Sequence, residues 1–176
     1  MMFLHGKAPI GTARLGRLDS AIVSFADALL RTILTAGHRL LKAGWFIRRP
    51  RTFGAHALAL TPERKVVLVK LRYARGWRLP GGGRNRGEEP TEAVLRELRE
   101  EIGMTSHGAV RAAAELEQDT DFKRDLVSVF IVEDVRYRPH RWSWEVERIM
   151  EASLGNLPDD MAPVAQEWIL AVRGRL

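Results

Sequence analysis

Three closely spaced glutamates are the side chains of this chain best suited to chemistry. Glu97, Glu100 and Glu101 lie in a segment with helical spacing, from Pro90 to Ile102. Residues three and four apart share one side of a helix, where like charges repel by roughly 0.2–0.5 kcal/mol per pair. A bound cation would explain the cluster, and grouped carboxylate oxygens suit a hard divalent ion. The sequence therefore predicts a site for Mg²⁺, with Mn²⁺ able to replace it.

The helix that carries these glutamates has clear start and stop signals. Pro90 suits a first helical position, and Gly103 suits the residue just past the end. The spacing of Leu95, Leu98 and Ile102 predicts an apolar stripe along one side. The helix is therefore expected to pack on a core through this stripe, with the glutamates on a different side.

A glycine-rich stretch comes directly before the acidic segment. Gly81, Gly82 and Gly83 follow one another, and a backbone without side chains can approach a ligand or metal closely. We interpret the stretch as a loop. Glycine-rich loops are common, so this one indicates a functional site only because the glutamates follow it.

The combined segment resembles the Nudix box. Gly82 is followed by Glu88 after five residues, and seven residues later by the run RELREEIGM that starts at Arg96. The resemblance implies a hydrolase that uses divalent metal to cleave nucleoside diphosphates linked to a further group. The alternative, a solvated acidic helix face, leaves the shared register of so many positions unexplained.

The same resemblance implies roles for individual residues. Glu100 and Glu101 would be metal ligands, and the carbonyl of Gly81 would offer a further oxygen. Glu97 would be either another ligand or the base that accepts a proton from the attacking water. Glu145 stands where many relatives carry an acidic residue and is a second candidate for the base. The alternative for Glu145 is an exposed glutamate at the end of a strand.

Four other positions of the box are assigned to the scaffold. In the family the pair Glu88 and Arg96 tends to brace the loop against the helix, so Arg96 is expected to serve structure more than substrate. Gly82 and Gly103 are assigned to the motif's backbone geometry in the same way.

Contacts to the substrate are expected from basic and aromatic side chains. The candidates for phosphate binding are Lys70, Arg72, Arg75 and Arg78, which lie close in sequence to the glycine-rich stretch. For each of them singly, a solvated surface position is the favoured alternative. The candidates for stacking on a base are Trp142, Trp144 and Phe122, although aromatic residues near strand ends more often belong to the core.

The rest of the chain indicates a layered α/β domain. Strands are predicted at Ala55–Leu60, Lys65–Leu71, Ala112–Glu117 and Leu126–Glu133, and a last helix at Pro163–Val172. One helix in the middle and one at the end suggest helices packed on a sheet. The resemblance implies the Nudix α/β/α sandwich with a mixed β-sheet, over about residues 52–172.

Composition and charge divide the chain in two. With 45% apolar and 28% charged residues the protein is globular, and without cysteine it has neither disulfides nor a thiolate nucleophile. Residues 1–51 hold nine Lys/Arg against two Asp, while residues 52–176 hold nineteen against twenty acidic residues. We therefore expect a basic leader at 1–51 and a near-neutral hydrolase domain at 52–176. A reducing cytoplasm is the default compartment.

The leader contains an amphipathic helix at about residues 19–43, followed by a linker. Charged residues interrupt it, so no run of about 18 apolar residues exists that would span a membrane. Peripheral membrane contact through the helix is an alternative. Packing on the domain or on a second subunit is favoured, which makes a homodimer an expectation.

The predicted substrate is a small nucleoside diphosphate derivative, either a nucleotide sugar or a nucleoside triphosphate. A first alternative is an RNA 5′ end, which the basic leader would favour and the near-neutral domain disfavours. A membrane-associated hydrolase of lipid-linked diphosphates is a second. A non-catalytic nucleotide sensor is a third, and it should have lost the glutamates.

Overall fold

The computed structural model describes residues 28–29, 32–37, 51–120 and 123–175. The elements from residue 51 onward are β1 (Arg51–Ala59), β2 (Val66–Leu71), β3 (Trp77–Arg78), β4 (Gly81–Gly83), α1 (Pro90–Ile102), β5 (Met104–Ser106), β6 (Val110–Thr120), β7 (Lys123–Val132), β8 (Arg136–Tyr137), β9 (Val146–Ala152), α2 (Pro163–Val172) and a 3₁₀ turn (Arg173–Arg175).

The main sheet is mixed, as expected. Its strands run in the order β4-β1-β7-β6, and β1 pairs in parallel with β7 while the other two pairs are antiparallel. A second sheet has the order β3-β2-β9 with antiparallel pairs, and β5 pairs with β8. Strands β1 and β7 thus form the centre of the main sheet, and β4 and β6 form its edges.

Two apolar clusters cover opposite faces of the main sheet. Successive side chains of a strand point to opposite faces. In β1 the alanines 55, 57 and 59 pack in one cluster with Leu98 and Ile102 of α1. Leu58 belongs to the other cluster, with Trp168 and Ile169 of α2. The sheet is therefore enclosed by one helix on each side, and the predicted α/β/α sandwich is confirmed.

Helix α1 begins and ends where the sequence predicts. Pro90 occupies its first turn, and Gly103 ends it in the left-handed conformation with φ 70°, donating its N–H to the carbonyl of Arg99. The division into faces differs from the prediction. Leu95 is only half-buried, whereas Glu101 is buried beside the apolar residues of the helix.

The glycine-rich stretch is a strand, so its interpretation as a loop was wrong. Gly81, Gly82 and Gly83 form β4 and pair with His56, Ala55 and Gly54 of β1. A Cβ on Gly81, whose φ is +139°, would lie 2.3 Å from the carbonyl oxygen of Ala55. At Gly81 the absence of a side chain therefore permits close packing between β4 and β1.

The four predicted strands are present as β1, β2, β6 and β7, and the predicted last helix is α2. Strand β9 was missed. Its sequence VERIMEA mixes charged and apolar residues without clean alternation, and pairing with β2 is what makes it a strand. Trp77 and Leu79 lie in the core.

Most of the predicted leader helix lies outside the described residues. Residues 28–29 and 32–37 are helical. In the described part of the chain, no helix is both long and apolar enough to cross a membrane. The division of the chain at residue 52 and the homodimer stay predictions.

Candidate active site

A cleft of about 270 Å³ opens between α1 and the segment that precedes β9. One wall is formed by the glutamates 97, 100 and 101 of α1. The residues of the other wall are His140, Trp142, Ser143, Trp144 and Glu145. The fold thus places four of the predicted site residues around one space, although Glu145 is 44 positions or more from the other three.

Glu101 is the buried member of this group. Only 6% of the surface of this residue is exposed, and its Oε2 accepts a hydrogen bond from the Gly81 N–H at 2.7 Å. Burial raises the pKa of the carboxyl well above its usual value, and the nearby charges of Glu97 and Glu145 raise it further. The Gly81 bond opposes this shift. The site therefore holds a carboxylate that lacks enough positive charge around it.

Glu97 and Glu100 share one positive neighbour. Arg96 Nη1 lies 2.8 Å from Glu97 Oε1 and 3.2 Å from Glu100 Oε2. Burial raises the pKa of Glu97, although Arg96 opposes the shift. The Glu100 side chain is 59% exposed and faces the solvent side of the cleft. A single guanidinium thus partly balances two of the acidic side chains.

The same arginine joins α1 to the segment before it. Arg96 Nε donates to Glu88 Oε1 at 2.8 Å, and Nη2 donates to the carbonyl of Gly83 at 2.9 Å. The hydrogen bond from Arg96, with a second from the Asn85 N–H, lowers the pKa of Glu88 to about 2. The Glu88 bond in turn raises the pKa of Arg96. Arg96 therefore connects β4, the turn after it and the helix.

Glu145 is held by Tyr73, a contact that the sequence analysis missed. The Tyr73 hydroxyl donates a hydrogen bond to Glu145 Oε1. Burial is the main cause that raises the pKa of Tyr73, and this bond adds to it. The two residues are 72 positions apart, and β2 and β9 bring them together by pairing. No local pattern signals such a contact.

Ser143 fixes the turn that leads to Glu145. Its carbonyl accepts a hydrogen bond from Arg72 Nε at 3.2 Å, and its Oγ accepts one from the Val146 N–H at 3.0 Å. The Arg72 N–H donates to the carbonyl of Glu145 at 2.9 Å. Residues 72 and 73 therefore hold the far wall of the cleft in place.

The predicted phosphate ligands are not gathered around the cleft. Lys70 forms an ion pair with Asp160 at 2.9 Å and lies 5.5 Å from the ring centroid of Trp77. Arg72 contacts the turn at Ser143, and Arg78 lies close enough for its charge to lower the pKa of Tyr73. None of these three lines the cleft, and neither does the fourth candidate, Arg75. Their phosphate-binding role stays a prediction.

The donor set of the cleft suits a hard divalent cation. Carboxylate oxygens are the ligands such an ion prefers, and burial raises the pKa values of two of the acidic groups here, Glu97 and Glu101. Among the described residues, no three acidic or histidine side chains are already arranged to hold a metal. Glu97 and Glu100 contact Arg96 instead. Binding an ion there would therefore require both side chains to turn from the guanidinium toward it.

Comparison with known families and proteins shows which family this fold belongs to. Residues 50–172 match the NUDIX domain family. The chain is 41% identical over 95 residues to an RNA pyrophosphohydrolase of Acidiphilium cryptum, a match that covers 52% of this chain and 54% of that protein. An RNA pyrophosphohydrolase of Bartonella clarridgeiae is 31% identical over 94 residues, with the same two shares. The chain thus spans about half the length of these relatives.

Solved structures share the fold. A MutT NUDIX hydrolase from Burkholderia pseudomallei superposes with a TM-score of 0.60 at 20% identity, over 69% of this chain and 98% of that one. A UDP-X diphosphatase superposes with a TM-score of 0.58 at 21% identity, over 72% of this chain and 64% of that one. At these identities the likeness concerns the fold alone.

Proposed function

The chain belongs to the NUDIX family, and from this premise we propose that it hydrolyses the diphosphate bond of a nucleoside diphosphate linked to another group, with Mg²⁺ as cofactor. Mn²⁺ is expected to replace Mg²⁺. Water would attack phosphorus, one P–O bond would form, and the P–O bond to the leaving phosphate would break. The proton released by the water would pass to a carboxylate of the cleft.

One observation carries this proposal. Four glutamates from two distant parts of the chain line one cleft, and two of them have pKa values raised by burial. Among the described residues that line the cleft, none is a lysine or an arginine, and Arg96 forms ion pairs with Glu97 and Glu100. A polyphosphate substrate that arrives with divalent metal would supply the missing charge.

The residues of α1 and β4 would hold the metal. We assign this task to Glu100 and Glu101, with Glu97 and the carbonyl of Gly81 as further donors. When bound, the ion supplies positive charge that stabilises the phosphoryl oxygens. Gly81 keeps the buried carboxylate of Glu101 oriented by its N–H bond.

Two residues are candidates for the general base. The raised pKa of Glu97 brings its proton affinity closer to what a base needs near neutral pH. Glu145 faces the same cleft and is held by the Tyr73 hydroxyl, which keeps its carboxylate in a defined place. We favour Glu145, because the Glu97 carboxylate forms an ion pair with Arg96.

A second candidate function is the removal of pyrophosphate from RNA 5′ ends. The observation that favours it is the similarity to two RNA pyrophosphohydrolases. The basic leader, with nine Lys/Arg against two Asp, would add electrostatic attraction to RNA. The chemistry at phosphorus would be the same in both cases, so the two candidates differ in what the protein binds beyond the diphosphate.

A phosphate-release screen tests both candidates. The substrates are nucleoside triphosphates, nucleotide sugars, ADP-ribose, dinucleoside polyphosphates and RNA with a 5′-triphosphate, each with Mg²⁺ and with chelator. We expect Mg²⁺-dependent turnover of at least one class, reduced by about 100-fold or more in Glu101→Gln, in line with the loss of an essential charged group. The control is Glu115→Gln, an equal charge change at an exposed position outside the cleft. No turnover of any substrate would overturn the proposal.

A further inference from the structure

Two tryptophans of the cleft are exposed. Trp142 is 49% and Trp144 is 67% exposed, whereas Trp77 and Trp168 are 5% exposed in the core. An indole buries a large apolar area when it packs, worth roughly 25 cal/mol per Å². Leaving two of them at the surface forgoes that stabilisation. Their exposure is therefore a feature that the folded domain does not explain by itself.

The two rings are close together and nearly perpendicular. Their centroids are 4.4 Å apart and their planes make an angle of 78°. A flat group stacked on the face of one indole would therefore meet the other indole edge to face, an arrangement that aromatic rings favour. The more exposed ring, Trp144, has the larger free surface for stacking.

The segment that carries the rings is held from both sides. Ser143, which lies between the two tryptophans, is bonded through its carbonyl to Arg72 and through its Oγ to the N–H of Val146. The next residue, Glu145, accepts the Tyr73 hydroxyl bond. Because these contacts position the rings before any ligand arrives, binding to them costs less conformational entropy.

The surroundings of the pair indicate which ligand it suits. The facing wall carries Glu97, Glu100 and Glu101, and Glu145 directly follows Trp144. An apolar peptide or acyl chain would use the rings and leave the carboxylates without partners. A nucleotide uses both, since its base is flat and aromatic while its phosphates with a divalent cation are attracted to the carboxylates.

We propose that Trp142 and Trp144 form the base-binding platform of this protein, with Trp144 stacking on the base and Trp142 supporting it edge to face. The platform deepens the proposed function, on which it rests, since it restricts the substrates to diphosphates that carry a nucleobase within reach of the cleft. It also assigns selection of the nucleoside to the segment that carries Trp142 and Trp144, and not to the basic residues near β4.

Binding of two unreactive probes tests the platform. The probes are α,β-methylene-ADP, whose bridging carbon prevents hydrolysis, and methylenediphosphonate, which has the same bridge without a nucleoside. Affinities are measured by calorimetry with Mg²⁺ for the full chain. We expect Trp144→Ala to weaken binding of α,β-methylene-ADP about tenfold, the size typical of one base stacked on an aromatic side chain. Trp144→Phe should restore most of the affinity, and Trp142→Ala should weaken binding about threefold, as lost edge-to-face contact would.

Two controls make the result specific. Leu170→Ala removes an equally exposed apolar side chain, 67% exposed on α2 and outside the cleft, and should leave both affinities unchanged. The tryptophan variants should also leave any affinity for methylenediphosphonate unchanged. Equal affinity of Trp144→Ala and the wild type for α,β-methylene-ADP would overturn the platform, and so would a wild type that does not bind this probe. Neither result depends on turnover, so the phosphate-release screen judges the proposed function separately.

Discussion

The three glutamates that α1 contributes to the cleft look alike in the sequence but differ in how deeply they are buried. Glu101 is 6% exposed, while the side chain of Glu100 is 59% exposed. Burial raises the pKa of Glu101 well above its usual value, because a carboxylate loses its hydration there. Folding thus places one charge where water cannot stabilise it. In our proposal that charge is offset by the cation, which would compensate for the cost of burying this glutamate.

The Tyr73 hydroxyl gives a test of the second base candidate. Removing it in Tyr73→Phe frees the carboxylate of Glu145 to rotate, so we expect kcat to fall about 10–100-fold, as when a group that orients a ligand is lost. KM should change little, because Tyr73 does not line the cleft. Steady-state kinetics on the best substrate of the screen measures both.

Tyr137 provides the matched control for this change. Its hydroxyl donates to Glu151 at 3.0 Å, away from the cleft, and burial with this bond raises its pKa to about 12. Tyr137→Phe should therefore lose a similar hydrogen bond without loss of kcat. In the double variant with Glu145→Gln, Tyr73→Phe should cause no further loss. An unchanged kcat in Tyr73→Phe would remove Tyr73 from the catalytic arrangement.

At the scale of elements, β4 and α1 meet so closely that a methyl group would not fit between them. A Cβ on Gly82 would lie 2.7 Å from Glu97 Oε1, whereas a Cβ on Gly83 would meet nothing within 4 Å. The strand therefore limits where the Glu97 carboxylate can lie. The register of β4 on β1 is what sets this limit.

Alanine at these two glycines tests the close contact. Gly82→Ala should displace the Glu97 carboxylate and reduce kcat/KM about tenfold or more. A misplacement of a reacting group by about 1 Å can reduce the rate by about 100-fold. Its melting temperature should stay close to that of Gly83→Ala, because the atom in the way is the end of a flexible side chain. Gly83→Ala should keep wild-type kinetics. Equal kinetics of the two variants would show that the reaction does not depend on the space that Gly82 leaves for the Glu97 carboxylate.

At the scale of the molecule, the cleft lies where parts from different regions of the chain meet. Strand β4, paired with β1, and helix α1 make the Gly81–Glu101 contact, while the pairing of β2 with β9 brings Tyr73 to Glu145. Separate apolar clusters hold the two helices against the sheet. A ligand that joins both walls of the cleft would therefore stabilise the whole domain against unfolding.

Melting with and without Mg²⁺ tests the part of such a ligand that we assign to α1 and β4, the metal ion. At a Mg²⁺ concentration about 100 times Kd, linkage adds about 2.7 kcal/mol to the free energy of unfolding, which for a chain of this size raises Tm by about 5–10 °C. Glu101→Gln should show a much smaller rise, and Glu115→Gln the full one. Differential scanning calorimetry in Mg²⁺ and in chelator measures the difference. An equal rise in Glu101→Gln would mean that Mg²⁺ binds elsewhere.

Local spacing was enough to predict part of this protein. Helix α1 begins at Pro90 and ends before Gly103 as the sequence indicates, because capping depends on residues that are neighbours in the chain. The grouping of Glu97, Glu100 and Glu101 follows from helical geometry for the same reason. The family resemblance extended this to the α/β/α sandwich, which the structure confirms.

Three further features depend on how the strands pair in the folded chain. Tyr73 contacts Glu145 across 72 positions, the three glycines form a strand on β1, and Trp142 and Trp144 face a cleft instead of the core. Each of these depends on which strands pair and in which register, and a register has no signal in a single segment. Residue types and local spacing thus specify which groups this protein has for chemistry, while packing of the sheets specifies which of them meet.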